Sequence, residues 1–489
     1  MGQEATPALP EGIFSLLDTD LYKLTMQCAV LKYFPDVYVT YGFTNRTPQM
    51  KLRRGAYKWL LQQMDKLANV RITPEERQFL RKKCPYLNEA YISFLATFQL
   101  KPSEQIEIKF TPTQDTGSDD DEGDVEYTIK GLWLDTILYE IPLLALTSQA
   151  YFMFSDKDWD YCNQEEKAFR KGCELLENGC VFSEFGSRRR RDYHTQDLVM
   201  KGLMRAAEVG KKKGWKGVLS GTSNVHFAMK YDTNPVGTVA HEWYMGIAAI
   251  TDDYENANEL ALRYWLGCFG EGVLGIALTD TFGTPAFLDA FRKPIPEYTS
   301  AGVGAVTVAP SGANTTVESS TQSLASTQTP ISAPVNKSGS HPTKSYAQVY
   351  TGVRQDSGDP SYFVKMVRDF YNREGITGGK VVVFSDSLDI EHCLEYKTLA
   401  EEAHLTPTFG VGTFFTNDFT NKSNGEKSKP LNIVIKISTA NGSPAVKLSD
   451  NLGKNTGDSK KVAWVKKTLG YTEQEWEEGD ESNRWTQKA

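Results

Sequence analysis

The residues best suited to chemistry in this 489-residue chain stand where short apolar runs give way to polar, glycine-containing sequence. Gly237–Trp243 is one such run and carries His241 beside Glu242. Six others end alike: Phe182–Arg188 with Phe185 and Arg188, Gly217–Asn224 with Thr222 and Ser223, Ala277–Gly283 with Asp280, Val353–Gly358 with Arg354 and Asp356, Val381–Ser387 with Ser385 and Asp386, and Phe409–Thr413 with Gly410, Gly412 and Thr413. A neutral imidazole can take a proton or a phosphoryl group. Aspartates accept from sugar hydroxyls or hold Mg²⁺, and arginine grips phosphate through two parallel hydrogen bonds. Glycines let backbone N–H groups approach an anion closely. Together these groups suit a ligand that carries both hydroxyls and phosphate, such as a sugar phosphate.

Taken singly, each residue has a plainer explanation. His241 fits a hydrogen-bonded histidine on a buried strand, and Asp280, Asp356 and Asp386 fit caps on the helices that follow their strands. Three aspartates and two arginines at the same kind of junction are more than capping requires. The run Arg188–Arg191 has no basic or aromatic extension that would make it a nucleic-acid patch, and it reads as a phosphate or pyrophosphate site served by one or two of its members.

For these groups to converge, the runs must be parallel strands whose ends share one rim, as in an α/β barrel. The helical stretches between them, Gln196–Lys211 and Tyr254–Leu266 among them, support βα repeats. The alternation breaks once, over Thr299–Ser345, which is rich in Ser, Thr, Ala, Gly and Pro, has no aromatic residue and holds three charges. It predicts a disordered insertion. Ahead of the barrel the pattern gives a helix over Phe14–Lys32, a strand over Val37–Phe43, a helix over Gly55–Asn69 and strands over Gln105–Phe110 and Val125–Lys130. The acidic run between those strands lacks calcium-loop spacing and reads as a solvated hairpin tip. Leu132–Leu146 carries Asp135, Glu140 and Pro142 and reads as a buried helix too short to span a bilayer. Strands at Leu431–Ile437 and Ala445–Leu448 and a final Trp-bearing helix are too few for a domain of their own. The expected fold class is therefore α/β, an irregular parallel barrel plus an α+β domain built from both chain ends. The expected boundaries are a disordered tail at 1–11, the N-terminal part at 12–150, the barrel at 151–424 interrupted by 299–345, and the C-terminal part at 425–489.

Composition sets limits on partners. A net charge of −8 argues against general nucleic-acid or membrane-surface binding. Seven cysteines without Cys-x-x-Cys spacing predict reduced thiols, hence cytosol or nucleus, and no zinc site. Residues 1–10 lack the basic and apolar segments of a secretory signal, and no polybasic patch supports their loose match to a myristoylation pattern.

Asp18–Met26, Phe185–Arg189, Gly221–Asn224, the His241 run, Arg354–Pro360 and Phe409–Thr413, in that order, resemble the nicotinate phosphoribosyltransferase family of fungi and bacteria. The resemblance spans about residues 12–475, apart from the insertion. It implies a type II phosphoribosyltransferase fold, working as a homodimer with shared sites. It also implies that nicotinate displaces pyrophosphate from phosphoribosyl pyrophosphate to give nicotinate mononucleotide in NAD salvage, with Mg²⁺ present and ATP hydrolysed through a phosphohistidine. By motif that residue is His241, with Arg188, Asp280 and Asp356 as the other catalytic groups. Phe185 and Tyr22 of the neighbouring subunit would sandwich the pyridine ring beside Arg188, with Asp20, Thr222 and Ser223 near it. Arg354 and Asp356 would hold the ribose portion, and Ser385, Asp386, Gly410, Gly412 and Thr413 the 5′-phosphate.

The related nicotinamide-using enzymes carry an aspartate after Gly-Thr, where this chain has Ser223. A hydroxyl can donate to a carboxylate that an ionised aspartate would repel. A non-catalytic, nucleotide-sensing barrel would lack some of the polar rim groups, and all of them are in place.

Overall fold

The computed structural model describes residues 10–296, 298–299, 302–303, 344–451 and 455–471. Beyond its last residues, the tail expected at 1–11 lies outside this set, as do most of the Thr299–Ser345 insertion and the chain after residue 471.

The N-terminal part contributes β1 (Tyr38–Asn45), the two-residue β2 (Leu52–Arg53), β3 (Ile106–Pro112) and β4 (Glu122–Leu132). β3 and β4 form an antiparallel hairpin from Ile106↔Ile129 to Pro112↔Gly123, and β4 also pairs with β1 and β2. The acidic tip is not simply solvated. Asp121 is buried and accepts from Arg54 and from the Thr116 and Gly117 backbone, which folds the tip over the start of the helix Arg54–Leu67. The first helix spans Leu21–Tyr33, shorter than expected, because residues 16–19 form a turn and bends and Asp20, in an extended conformation, bridges Asn224 of the barrel.

The helical run that follows β4 reaches from Trp133 to Phe154, 22 residues, and by length and composition could cross a membrane. It is instead an interior element, 78% buried. No helix breaker lies between Leu146 and Phe154, so the run continues past the point where the strongest hydrophobicity ends.

The barrel strands are β5 (Val181–Glu184), β6 (Val218–Thr222), β7 (Ile276–Leu278), β10 (Gly352–Gln355), β11 (Val381–Phe384) and β12 (Thr406–Val411); β8 (Tyr298–Thr299) and β9 (Gly302–Val303) pair only with each other. All six barrel strands are parallel, in the order β6-β5-β12-β11-β10-β7. Between the ends of this path lies the segment that leads to His241, and it is not the strand that its apolar residues suggest. Pro235 bridges Thr222 and the Val236 N–H donates to the Thr222 carbonyl, but Pro235 has no N–H to continue a ladder. On the other side Arg354 donates to the Val239 carbonyl. His241 then opens the helix His241–Thr251.

Behind that helix, Trp243, Trp133, Phe34 and Trp265 form one aromatic cluster with neighbouring centroids about 6 Å apart. Trp133 and Trp243 are fully buried, and truncating either would cost about 3–5 kcal/mol. A Cβ on Gly246 would lie 2.5 Å from the Trp133 ring, so glycine permits this approach. The cluster fixes the helix, and with it His241.

The chain's end returns to its beginning. β13 (Ile433–Ala440) pairs antiparallel with β1 from Val39↔Ala440 to Asn45↔Ile433, and β14 (Ser443–Pro444) extends it. Ala445–Leu448, expected as a strand, has a single bridge, Lys447↔Thr456. It crosses instead to the barrel, where the Leu448 N–H donates to the Thr281 carbonyl.

Candidate active site

One cavity of about 810 Å³ lies between the barrel rim and the two-ended sheet. Phe185, Arg188, Ser223, His241, Arg354, Asp356, Ser385, Asp386, Gly410, Gly412 and Thr413 line it from the barrel, and Asp20 and Tyr22 from the N-terminal segment. Two expected residues stand behind the wall. Thr222 is fully buried and donates to Glu184, so it supports the rim and does not face a ligand. Asp280 is 1% exposed and lies behind His241.

The capping explanation fails for all three aspartates. The helices after β7, β10 and β11 have Gly283, Asp359 and Asp389 at their N-caps, and the last two accept the N-terminal amides. Asp280, Asp356 and Asp386 therefore do not cap these helices, and two of them surround the histidine. His241 Nε2 lies 3.0 Å from Asp356 Oδ2 and 3.7 Å from Asp280 Oδ1. Its Nδ1 is 3.0 Å from Thr281 Oγ1, and Lys447 Nζ approaches Nε2 to 2.8 Å. An ammonium can only donate and an ionised carboxylate can only accept, so Lys447 and Asp356 compete for Nε2; we assign its lone pair to the closer Lys447 and the ring proton to Nδ1, where Thr281 accepts it. Burial, with the Lys447 charge adding to it, holds His241 down to about 4 against the pull of the two carboxylates. The ring is neutral at physiological pH and its Nε2 is nucleophilic in form. Glu242 occupies the next position of the same helix. It accepts from Tyr41 Oη at 2.6 Å and Trp133 Nε1 at 2.8 Å, and pairs with the buried Lys23.

Asp356 is pushed up by burial but held well below the usual carboxylate range by Arg354 and by its contacts with His241, and it also accepts from Ser385 Oγ at 2.7 Å. Asp280 is likewise raised by burial and pulled below its ordinary value by Lys447 and His241. Its Oδ2 accepts from Ser357, while its buried Oδ1 has no hydrogen-bond donor. The ligand atoms of His241, Asp280 and Asp356 lie within 4.8 Å of one another. Two carboxylates with an unused buried oxygen fit a hard cation such as Mg²⁺.

Of the four consecutive arginines, Arg188 and Arg189 reach the cavity. Arg190 is buried in a two-bond pair with Asp18, both contacts 2.7 Å, and Arg191 is enclosed by Phe152, Phe419 and Trp159. The Asp18–Arg190 pair ties the N-terminal segment to the barrel of the same chain. With the Leu21 N–H on the Ser223 carbonyl and Asn224 Nδ2 on Asp18, it stitches the N-terminal segment to the rim of its own barrel. Tyr22 and Phe185 thus line one cavity within one chain. The Phe185 ring lies flat against β12, where a Cβ on Gly410 would be 2.4 Å from it.

Sequence reasoning missed the facing wall. Arg46, Lys436 and Lys447 reach the cavity from the two-ended sheet and the segment after it, and Glu140 reaches it between Lys23, 2.5 Å away, and Arg188, 3.7 Å away. The available signal was a lone charge in an apolar run: Lys447 within Ala445–Leu448, and Glu140 in the hydrophobic helix.

The comparisons with known proteins agree with one another. The profile of the nicotinate phosphoribosyltransferase N-terminal domain matches residues 17–148, and that of the nicotinate phosphoribosyltransferase family matches 180–301 and 322–473. The chain is 44% identical to nicotinate phosphoribosyltransferase of Saccharomyces cerevisiae over 97% of its own length and 99% of the relative's. It is 36% identical to that of Methanosarcina mazei, over 91% and 95%. The crystal structure of a putative nicotinate phosphoribosyltransferase from Saccharomyces cerevisiae superposes with a TM-score of 0.81 at 43% identity, covering 95% of this chain and 100% of that one. The Porphyromonas gingivalis enzyme gives 0.74 at 29% identity, over 94% and 100%.

Proposed function

This chain belongs to the nicotinate phosphoribosyltransferase family, and from that premise we propose how its own cavity performs the reaction. The pyridine nitrogen of nicotinate attacks C1′ of phosphoribosyl pyrophosphate, the C1′–O bond breaks and pyrophosphate leaves, giving nicotinate mononucleotide. Tyr22 and Phe185 sandwich the pyridine ring, and Arg188 faces its carboxylate. Arg354 and Asp356 hold the ribose portion. Ser385, Asp386 and the N–H groups around Gly410, Gly412 and Thr413 close on the 5′-phosphate. Arg46, Lys436 and Lys447 face the departing pyrophosphate across the cavity. Asp280 and Asp356 would hold Mg²⁺, which when bound offsets the charge of the phosphate oxygens.

The observation that carries the coupled form of this reading is the neutral His241 held between Asp356, Asp280, Thr281 and Lys447. Its Nε2 attacks the γ-phosphorus of ATP, the P–O bond to ADP breaks, and the phosphoramidate is later hydrolysed by water to free phosphate. The new charge lies beside Lys447, which can neutralise it. Tyr22 and Phe185 of one chain line the pyridine slot, and the homodimer with shared sites that the family resemblance implies is part of the proposal. All seven cysteines are free thiols, which suits cytosol or nucleus.

The experiment is a synthesis assay with purified protein, phosphoribosyl pyrophosphate and Mg²⁺, offering nicotinate or nicotinamide, with and without ATP. Mononucleotide from nicotinate, formed faster with ATP and accompanied by ADP, is the expected result. Preference for nicotinamide, or indifference to ATP, would overturn the specificity or the coupling respectively.

A further inference from the structure

Ser223 cannot serve a carboxylate ligand in the way that its residue type suggests, because its only proton is already engaged. Ser223 Oγ lies 2.8 Å from Asp20 Oδ1, and both residues line the pyridine end of the cavity. If Asp20 is ionised, the hydroxyl must donate to it, and Ser223 then shows the ligand lone pairs alone. Such a pocket suits an amide N–H, not the carboxylate of nicotinate.

Asp20 has no structural task that would demand a charge. It stands at the N-cap of the helix Leu21–Tyr33, yet its side chain caps no amide of that helix. It is 3% exposed. The charged and titratable groups around it are Arg188 from the turn after β5, Glu140 from the long interior helix, Glu184 at the end of β5 and Tyr22 from its own helix. Arg188 is the one cation among these, and Glu140 shares it at 3.7 Å. The neighbouring Asp18 and Arg190 neutralise each other. A nicotinate carboxylate would add a negative charge directly beside Asp20, in a site where another lining carboxylate, Glu140, is paired with Lys23 and shares Arg188.

We propose that Asp20 sets the charge preference of the pyridine pocket by carrying a proton when nicotinate is bound, donating it to Ser223 Oγ so that the Ser223 hydroxyl turns to donate to the substrate carboxylate. The reading rests on nicotinate being the acceptor in this cavity. Binding then couples to protonation of Asp20, and no bond other than hydrogen bonds is made or broken. Burial pushes the Asp20 carboxyl up, against the pull of the Ser223 and Ser187 hydroxyls and of Arg188.

The test is difference infrared spectroscopy on the full chain with nicotinate or nicotinamide bound. A carboxylic-acid C=O band should be present with nicotinate, weaker or absent with nicotinamide, and missing in Asp20→Asn. In steady-state kinetics the wild-type KM for nicotinate should climb by up to about tenfold per pH unit above the titration point of the pair. The slope should vanish in Asp20→Asn, whose amide N–H donates to Ser223 at every pH. Should Asp20→Asn fail to fold, the wild-type spectra with the two ligands still decide. No carboxylic-acid band in the nicotinate complex overturns the proposal. Absence of nicotinate turnover by the wild-type chain is a different result and would strike the functional reading instead.

Discussion

Lys447 reaches across the cavity and places its ammonium nitrogen 2.8 Å from Nε2 of His241, joining the segment after β14 to the helix that His241 opens. The same nitrogen is 3.2 Å from Asp280 Oδ2. Lys447 therefore covers the lone pair in the resting enzyme and is the nearest cation to a phosphoryl group placed there. Its charge is also one of the two causes that lower the His241 pKa.

Lys447→Met should slow phosphorylation of His241 by on the order of 100-fold, the usual loss when one charge-stabilising donor is removed. It should also raise the histidine pKa. In the wild type a value of about 4 keeps the ring neutral, so the phosphorylation rate should stay flat between about pH 5 and about pH 7. In Lys447→Met the pKa moves up toward the ordinary value, the protonated and unreactive fraction grows as pH falls, and the rate should decline on the acid side. Equal pH profiles for the two proteins would show that Lys447 does not act on the ring.

Gly410→Ala should impair the use of nicotinate. The added Cβ would stand 2.4 Å from two carbons of the Phe185 ring, so the ring must leave the position from which it stacks on the pyridine. A displacement of about 1 Å at such a contact costs on the order of 10-fold to 100-fold in turnover efficiency. The loss should be read from nicotinate kinetics at saturating phosphoribosyl pyrophosphate, with circular dichroism to show that the barrel is intact.

What the sequence disclosed was the set of strand ends, because each parallel strand is a short apolar run that stops at the rim. His241 reaches the cavity, although it opens a helix and does not end a strand. Val239 and Ala240 are as apolar in an extended connector as in a strand, and four residues cannot tell a ladder from a single bridge. Lys436 and Lys447 were not legible as site residues, since a lone lysine near the chain's end ordinarily signals a solvated face. Only the pairing of β1 with β13, which joins residues just over 400 positions apart (Val39↔Ala440), brings them opposite the barrel. The N-terminal helix was extended too far for a similar reason. Asp18 and Asp20 look like first-turn residues, and nothing local reveals that their partners are Arg190 and Ser223.

The insertion should be removable if its base is left alone. Pro294 bridges Ser345, and the Ile295 N–H donates to the Lys344 carbonyl at 3.0 Å, so the chain leaves and re-enters side by side. Ser345 also caps the short helix Tyr346–Val349 and belongs to the fold, one residue inside the expected boundary of the insertion. Replacing 304–343 by a short Gly/Ser linker should change stability by less than about 1 kcal/mol, because closure entropy depends weakly on loop length. Melting temperature and turnover should both stay near wild type. A large loss of turnover with an unchanged melting temperature would assign the segment a role at the cavity.

His241→Asn separates the two reactions that share this cavity. Displacement of pyrophosphate at C1′ needs the ring nitrogen, the ribose and the leaving group held in line, and the groups placed for that purpose are Phe185, Tyr22, Arg354, Asp356 and the backbone around Gly410. None of them depends on an imidazole. Asparagine is close in size, and its amide can meet Thr281 and Asp356, so the wall beside the ribose should keep its shape. It has no nitrogen lone pair able to take a phosphoryl group. His241→Asn should therefore lose acid-labile phosphorylation by γ-labelled ATP and lose stimulation by ATP, while slow synthesis of nicotinate mononucleotide without ATP remains measurable. A variant that is silent in both assays yet melts like wild type would place His241 in the transfer step itself. One that is still phosphorylated and still stimulated would move the phosphoryl acceptor away from the helix that the aromatic cluster holds in place.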